Sequence, residues 1–140
     1  MDDKLKICLE RKVNYYETDA MGIVHHSNHI RWFEEARVMW MDEGGISYDE
    51  VEKSGVRMPV IGVSCDYKVP AKFGDTICVK VYAKEITCVK CIIGYIVTNK
   101  ETKELISAGE TRHCFVNSEF KPVNIKKYSP ELNAKLLELC

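Results

Sequence analysis

Nowhere does this chain run apolar for the roughly 20 residues that a helical bilayer crossing requires, and Met1-Asp2-Asp3-Lys4-Leu5-Lys6 lacks the apolar core of a secretory signal. The expectation is a cytoplasmic protein without a membrane partner. Excess charge of either sign is also missing: 20 basic and 21 acidic side chains leave a net charge of -1. Nothing therefore draws the whole molecule to nucleic acid. With only 4 prolines, 8 glycines and no low-complexity tract, no linker divides the 140 residues. They read as a single domain, 1–140, near the commonest domain size.

Cysteine is plentiful, but no complete ligand set is present. Cys88 and Cys91 have the spacing of half a zinc or redox motif, yet neither a second pair nor a histidine partner completes it. Cys8, Cys65, Cys78, Cys114 and Cys140 are scattered. The cysteines read as small apolar residues in a reducing compartment, with neither metal nor disulfide.

What is present is a change of hydrophobic period along the chain. Leu5, Ile7 and Leu9 alternate with polar residues, which predicts a strand continuing to about Tyr16. Ser27 or Asn28 can cap a helix running to Glu43, stopped by Gly44-Gly45. Ile30, Phe33, Ala36 and Trp40 should share its buried face, widened by Trp32 and Met39. Ser47 opens a short helix at the capping-box interval from Glu50. Alternation then predicts strands over 61–69, 77–83, 91–97 and 105–115, and Ser129-Pro130-Glu131 opens a final helix. Short connections favour antiparallel neighbours, and open sheet edges favour pairing with a second copy.

The stretch from Tyr16 to Asn28 concentrates the chemistry. Asp19 lies in a turn-forming loop with Gly22, and the loop runs directly into the long helix. Free N–H groups at a helix start can hold an anion or a polarised carbonyl oxygen. Asp19 can act as base or nucleophile there, or it can simply bond the turn. Gly22 serves either a left-handed turn or the close approach of a ligand. His25, His26 and His29 invite a zinc reading, but only His25 and His29 share a helix face and no acidic third ligand is evident, so no metal is expected. His29 reads as a packed or interfacial residue. Glu17 is given no chemical role, and Glu34, Glu35 and Arg37 read as solvated helix pairs.

The run Tyr16-Glu17-Thr18-Asp19-Ala20-Met21-Gly22-Ile23-Val24-His25-His26-Ser27-Asn28, with Trp32-Phe33-Glu34-Glu35-Ala36-Arg37 after it, resembles the hot-dog-fold acyl-CoA thioesterases of the 4-hydroxybenzoyl-CoA thioesterase type. Its closest flavour is that of the small bacterial members associated with Tol-Pal genes. Tyr67-Lys68-Val69-Pro70-Ala71-Lys72-Phe73-Gly74-Asp75 resembles the family's corner between strands. The resemblance implies an α+β hot-dog fold, a curled, mainly antiparallel five-stranded sheet wrapped around a long central helix. It also implies a homodimer, or a tetramer of paired dimers, that hydrolyses an acyl-CoA thioester. No cofactor is expected, since coenzyme A is part of the substrate. Asp19, His26 and Gly22 fall on the family's catalytic positions, with the His26 amide as oxyanion donor. His25, Asn28, Tyr67, Lys68, Lys72 and Phe73 are the expected substrate contacts. A non-hydrolytic acyl-CoA or acyl-carrier-protein binding module is the alternative on the same scaffold.

Overall fold

The computed structural model describes residues 8–140. Leu5 and Ile7 of the first expected strand lie outside them. The sheet strands are β1 (Cys8–Lys12), β2 (Val60–Tyr67), β3 (Thr76–Ile86), β4 (Lys90–Asn99) and β5 (Leu105–Cys114). They form one five-stranded sheet in the order β1-β3-β4-β5-β2. Every pairing is antiparallel. The helices are α1 (His26–Glu43), α2 (Tyr48–Lys53), α3 (Ile125–Tyr128) and α4 (Pro130–Glu138).

The curled sheet wrapped around the helix does not form. The sheet is open, neither closed nor strongly curled, because β1 pairs only with β3 and β2 only with β5. The two edge strands stay apart with three strands between them, and α1 lies across one face. The architecture is a hot-dog-like layer of helix on sheet.

The core follows the predicted alternation on the central strands. Ile77, Val79 and Val81 of β3 and Cys91, Ile93, Tyr95 and Val97 of β4 are buried against the helix layer. From α1 come His29, Trp32, Phe33, Ala36, Arg37, Trp40 and Met41, a stripe at the 3.6-residue period. Phe33 stacks on Tyr95 with ring centroids 4.4 Å apart. Two expected members of the stripe fail: Ile30 is exposed and Met39 only half-buried, because the face is centred on Trp32 and Ala36.

Arg37 is buried, contrary to the solvated pair expected of it. Its Nε donates to the Tyr48 hydroxyl at 3.0 Å and its NH1 to the Tyr95 hydroxyl at 3.2 Å. The chain of bonds continues from Tyr95 to Thr111 at 2.6 Å, from Thr111 to His113 Nε2 at 2.8 Å, and from His113 Nδ1 to the Met58 carbonyl at 3.2 Å. Each buried polar group in this chain is thus satisfied without a carboxylate.

The cysteine expectation needs one correction. Cys8 and Cys78 are joined in a disulfide between the neighbouring strands β1 and β3, their Cα atoms 6.0 Å apart. Two positions distant in sequence become diagonal neighbours on the sheet, which spacing along the chain does not reveal. No helix among the described residues is long and apolar enough to cross a membrane.

Candidate active site

Backbone bonds fix the loop from Thr18 to His25 at both ends. Thr18 bridges Val24, and Ile23 bridges Lys72 of the corner after β2. Within the loop, Gly22 N–H donates to the Asp19 carbonyl at 3.0 Å and Asp19 N–H to the Ile23 carbonyl at 2.8 Å. Gly22 has a φ of 83°, and nothing lies within 4 Å of where its Cβ would stand. The backbone sign, not crowding, is what calls for glycine here. Gly22→Ala should cost roughly 1–2 kcal/mol, read from the denaturant midpoint; an unchanged midpoint would contradict the left-handed turn.

Asp19 is half-buried. Its Oδ1 accepts the Met21 N–H at 2.8 Å, the turn bond that side chains of this type favour. Its Oδ2 has no partner among the described residues.

Helix α1 begins two or three residues earlier than expected. The cap is His25, not Ser27 or Asn28, and its Nδ1 accepts the Ser27 N–H at 3.2 Å. Around this start the amides are consumed one by one. His25 N–H donates to the Glu17 carbonyl at 2.9 Å, and Asn28 N–H to the His25 carbonyl at 2.9 Å. The His26 N–H alone among these has no partner among the described residues. An open donor at the positive end of a long helix can hold an anion or a polarised oxygen.

Two hollows meet at Asp19. One, of about 240 Å³, has apolar walls of Met21, Ile23, Val24, Val69 and Pro70. Its polar lining is Asp19, His26, His29, Tyr67 and Lys68. The other, a polar cleft of about 750 Å³, carries Thr18, His25, Ser27, Asn28 and Arg31 beside Asp19. His25 and His26 stack across the divide, with ring centroids 4.1 Å apart. Tyr67 donates its hydroxyl to the His26 carbonyl at 2.9 Å, tying the end of β2 to the helix start.

The structure thus gathers Asp19, His26, Tyr67 and Lys68 at one pocket, and His25 and Asn28 at the adjoining cleft. It does not bring in Lys72 or Phe73. Lys72 borders a separate hollow with Asp75, Asn99 and Glu104. Phe73 is exposed and packs edge-on against Tyr15, 5.7 Å between centroids.

Two residues matter more than the sequence reading allowed. Glu17 is 3% exposed, and its carboxylate receives Arg11 NH1 at 2.6 Å, Asn14 N–H at 2.8 Å and Trp32 Nε1 at 2.9 Å. Burial raises its pKa, but these donors outweigh that and hold the carboxyl below its usual range. The Glu17 carbonyl also accepts Asn28 Nδ2 at 2.8 Å. One residue therefore ties the loop to β1 and α1 together. Asn14 and Glu17 stand at a capping-box interval, the one signal in the sequence that could have found it.

The second is His29, which is buried at the pocket with Nδ1 2.8 Å from Ser107 Oγ. Burial first, then the nearby His26, pushes its pKa down to about 4. His113 is likewise pushed down to about 4, by burial and the Arg37 charge against a bond to Met58 that opposes them. Both are neutral in the fold and titrate near 6.5 when unfolded. As pH falls from 6.5 towards 4 the unfolded chain binds protons that the folded one refuses, so stability falls. By linkage the loss between pH 7.5 and 5 is about 2 kcal/mol for each histidine. Denaturant unfolding at the two pH values tests this, and His113→Gln should remove half the pH dependence; equal stability at both would contradict it.

Residues 13–136 match the model of the Thioesterase-like superfamily. The chain is 34% identical over 122 residues to the candidate acyl-CoA thioesterase YneP of Bacillus subtilis (strain 168), covering 87% of this chain and 88% of that one. The DHNA-CoA thioesterase of Staphylococcus aureus superposes with a TM-score of 0.86 at 29% identity, over 94% of this chain and 88% of its own. The hypothetical protein TT1821 of Thermus thermophilus does so with a TM-score of 0.87 at 30% identity, over 96% and 100%.

Proposed function

Because the chain belongs to the Thioesterase-like superfamily, we propose that it is an acyl-CoA thioesterase that hydrolyses its substrate at the meeting point of the two hollows. The observation that carries the reading is the juxtaposition of an Asp19 carboxylate oxygen without a partner and the open His26 amide at one pocket. The acyl group enters the apolar pocket, and the pantetheine arm leaves along the polar cleft past His25 and Asn28. Asp19 attacks the thioester carbonyl carbon or deprotonates a water that does so. The His26 amide stabilises the oxyanion, a donor of the kind that contributes about 3 kcal/mol to lowering such a barrier. Gly22 closes the turn that aims Asp19. The His26 imidazole, beside the same pocket, can protonate the leaving thiolate. Tyr67 holds the helix start, and Lys68, beside the pocket, meets the coenzyme phosphates, whereas Lys72 borders a separate hollow. Phe73 has no part in the acyl pocket. Kinship with the Tol-Pal-associated members rests on the loop sequence alone.

We also infer a homodimer through the free edge of β2, where Val60, Ile61, Val63 and Tyr67 are all exposed. An exposed apolar edge strand is a template for pairing. The same edge ends at Tyr67 and Lys68, so a partner there would border the pocket. Sedimentation equilibrium should give twice the chain mass.

Thiol release from short, long and aromatic acyl-CoAs tests the enzymatic reading. The expected result is catalytic release of free coenzyme A from at least one class. Tight binding of acyl-CoA without thiol release would favour the binding module instead.

A further inference from the structure

We propose that His29 selects the acyl group, its Nε2 hydrogen-bonding a hydroxyl that the acyl chain carries into the apolar pocket. The inference rests on the thioesterase reading and adds a substrate class to it.

His29 is 3% exposed and lines the pocket. Its Nδ1 is taken by Ser107, and Nε2 has no partner among the described residues. Yet no buried side-chain nitrogen or oxygen among them lacks a partner. Nε2 is therefore not sealed in the core; it opens into the pocket that the ring lines. The ring is wedged edge-on to Tyr67, 4.8 Å between centroids, and against Trp32 at 4.9 Å. Such packing leaves it little freedom to turn away from the pocket.

The chemistry of the substituent follows from the ring's charge and tautomer. The imidazole is neutral at ordinary pH, for the reasons of burial given above. If the Ser107 hydroxyl donates to Nδ1, Nε2 carries a proton and donates; if Nδ1 donates to Ser107, Nε2 accepts. A hydroxyl satisfies either state, since it is both donor and acceptor. A carboxylate or ammonium satisfies only one and loses its hydration among Ile23, Val24, Val69 and Pro70. A methyl-terminated acyl group displaces water from Nε2 and returns no hydrogen bond, which penalises it. The hollow has room for the group as well: a cavity of about 150 Å³ holds benzene, so the 240 Å³ on this protomer accepts a short acyl group with its hydroxyl.

The test uses non-hydrolysable ketone analogues of butanoyl-, hexanoyl- and octanoyl-CoA, each paired with its ω-hydroxylated counterpart, with binding measured by calorimetry. Wild-type protein should bind the hydroxylated member of at least one pair about tenfold more tightly. His29→Gln, which keeps an amide nitrogen near the Nε2 position, should retain the preference. His29→Phe should reduce it to within about twofold. Equal binding of the two members of every pair by wild type, or an undiminished preference in His29→Phe, would overturn the proposal. Should His29→Phe not fold, isotope-labelled histidine in the wild type gives the answer by NMR. The His29 Nε2 resonance moves with the hydroxylated analogue and stays with its methyl-terminated partner; equal movement with both overturns the assignment. Thiol release from the matching thioesters is read separately. A binding preference without thiol release removes the thioesterase reading alone, whereas thiol release without a preference removes the role of His29 alone.

Discussion

Asp19→Asn is expected to lower kcat for thioester hydrolysis by about a thousandfold, with the melting temperature and acyl-CoA affinity close to those of the wild type. The amide keeps an oxygen able to accept the Met21 N–H, so the turn that Oδ1 supports survives. What disappears is the negative charge of a side chain that lines the pocket. An amide neither attacks a carbonyl carbon at a useful rate nor takes a proton from water, so both routes fail together. A thousandfold loss corresponds to about 4 kcal/mol of barrier. A variant that lost activity only because the loop collapsed would lose stability and affinity too, so thermal unfolding and binding separate the two. Activity within tenfold of wild type would remove Asp19 from the chemistry.

Glu17→Ala should destabilise the fold by about 3–5 kcal/mol, the range for removing one partner of a buried ion pair. The substitution strands the Asn14 amide and the Trp32 indole and leaves the Arg11 guanidinium with Glu35 alone, at 2.9 Å. Trp32 is fully buried and cannot turn its N–H to water. Glu17→Gln, which keeps an acceptor for Trp32 or Asn14 but no charge for Arg11, should cost less than half as much. Since the folded carboxyl is held below its usual range, its contribution is present above about pH 4.5 and is lost as pH falls below that value. Chemical denaturation at neutral pH measures the loss. A change under 1 kcal/mol in Glu17→Ala would mean that the loop is held in place by its backbone bonds alone.

These two neighbouring acids show which features the sequence exposed and which it concealed. Asp19 stood out as a candidate because its signals are local: a turn residue, a glycine three positions on and a helix start, all within one short run. Glu17 lies two residues away, yet its role depends on Arg11 from β1 and Trp32 from α1 closing over it, and burial of that kind comes from tertiary packing. His29 was hidden for the same reason, its partner Ser107 lying 78 residues away on β5. The strands were legible because alternation at β3 and β4 reports a buried face directly. The shape of the sheet was not legible, for curl depends on how edge strands relate in space. Here β1 and β2 remain on opposite edges. The buried face of α1 was read about right but slightly turned, so that Ile30 was taken inside and Arg37 outside. Arg37 could be buried only because Tyr48 and Tyr95, from two other elements, supply its acceptors.

The central claim is that a thioester carbonyl docks between Asp19 and the start of α1. A crystal structure of Asp19→Asn holding an intact acyl-CoA examines it most directly. The carbonyl oxygen is expected about 2.7–3.1 Å from the His26 amide nitrogen, and the carbonyl carbon about 3–3.5 Å from the residue 19 side chain or from a water bound to it. An acyl-CoA seated with its thioester elsewhere, its carbonyl out of reach of the His26 amide, would contradict the account.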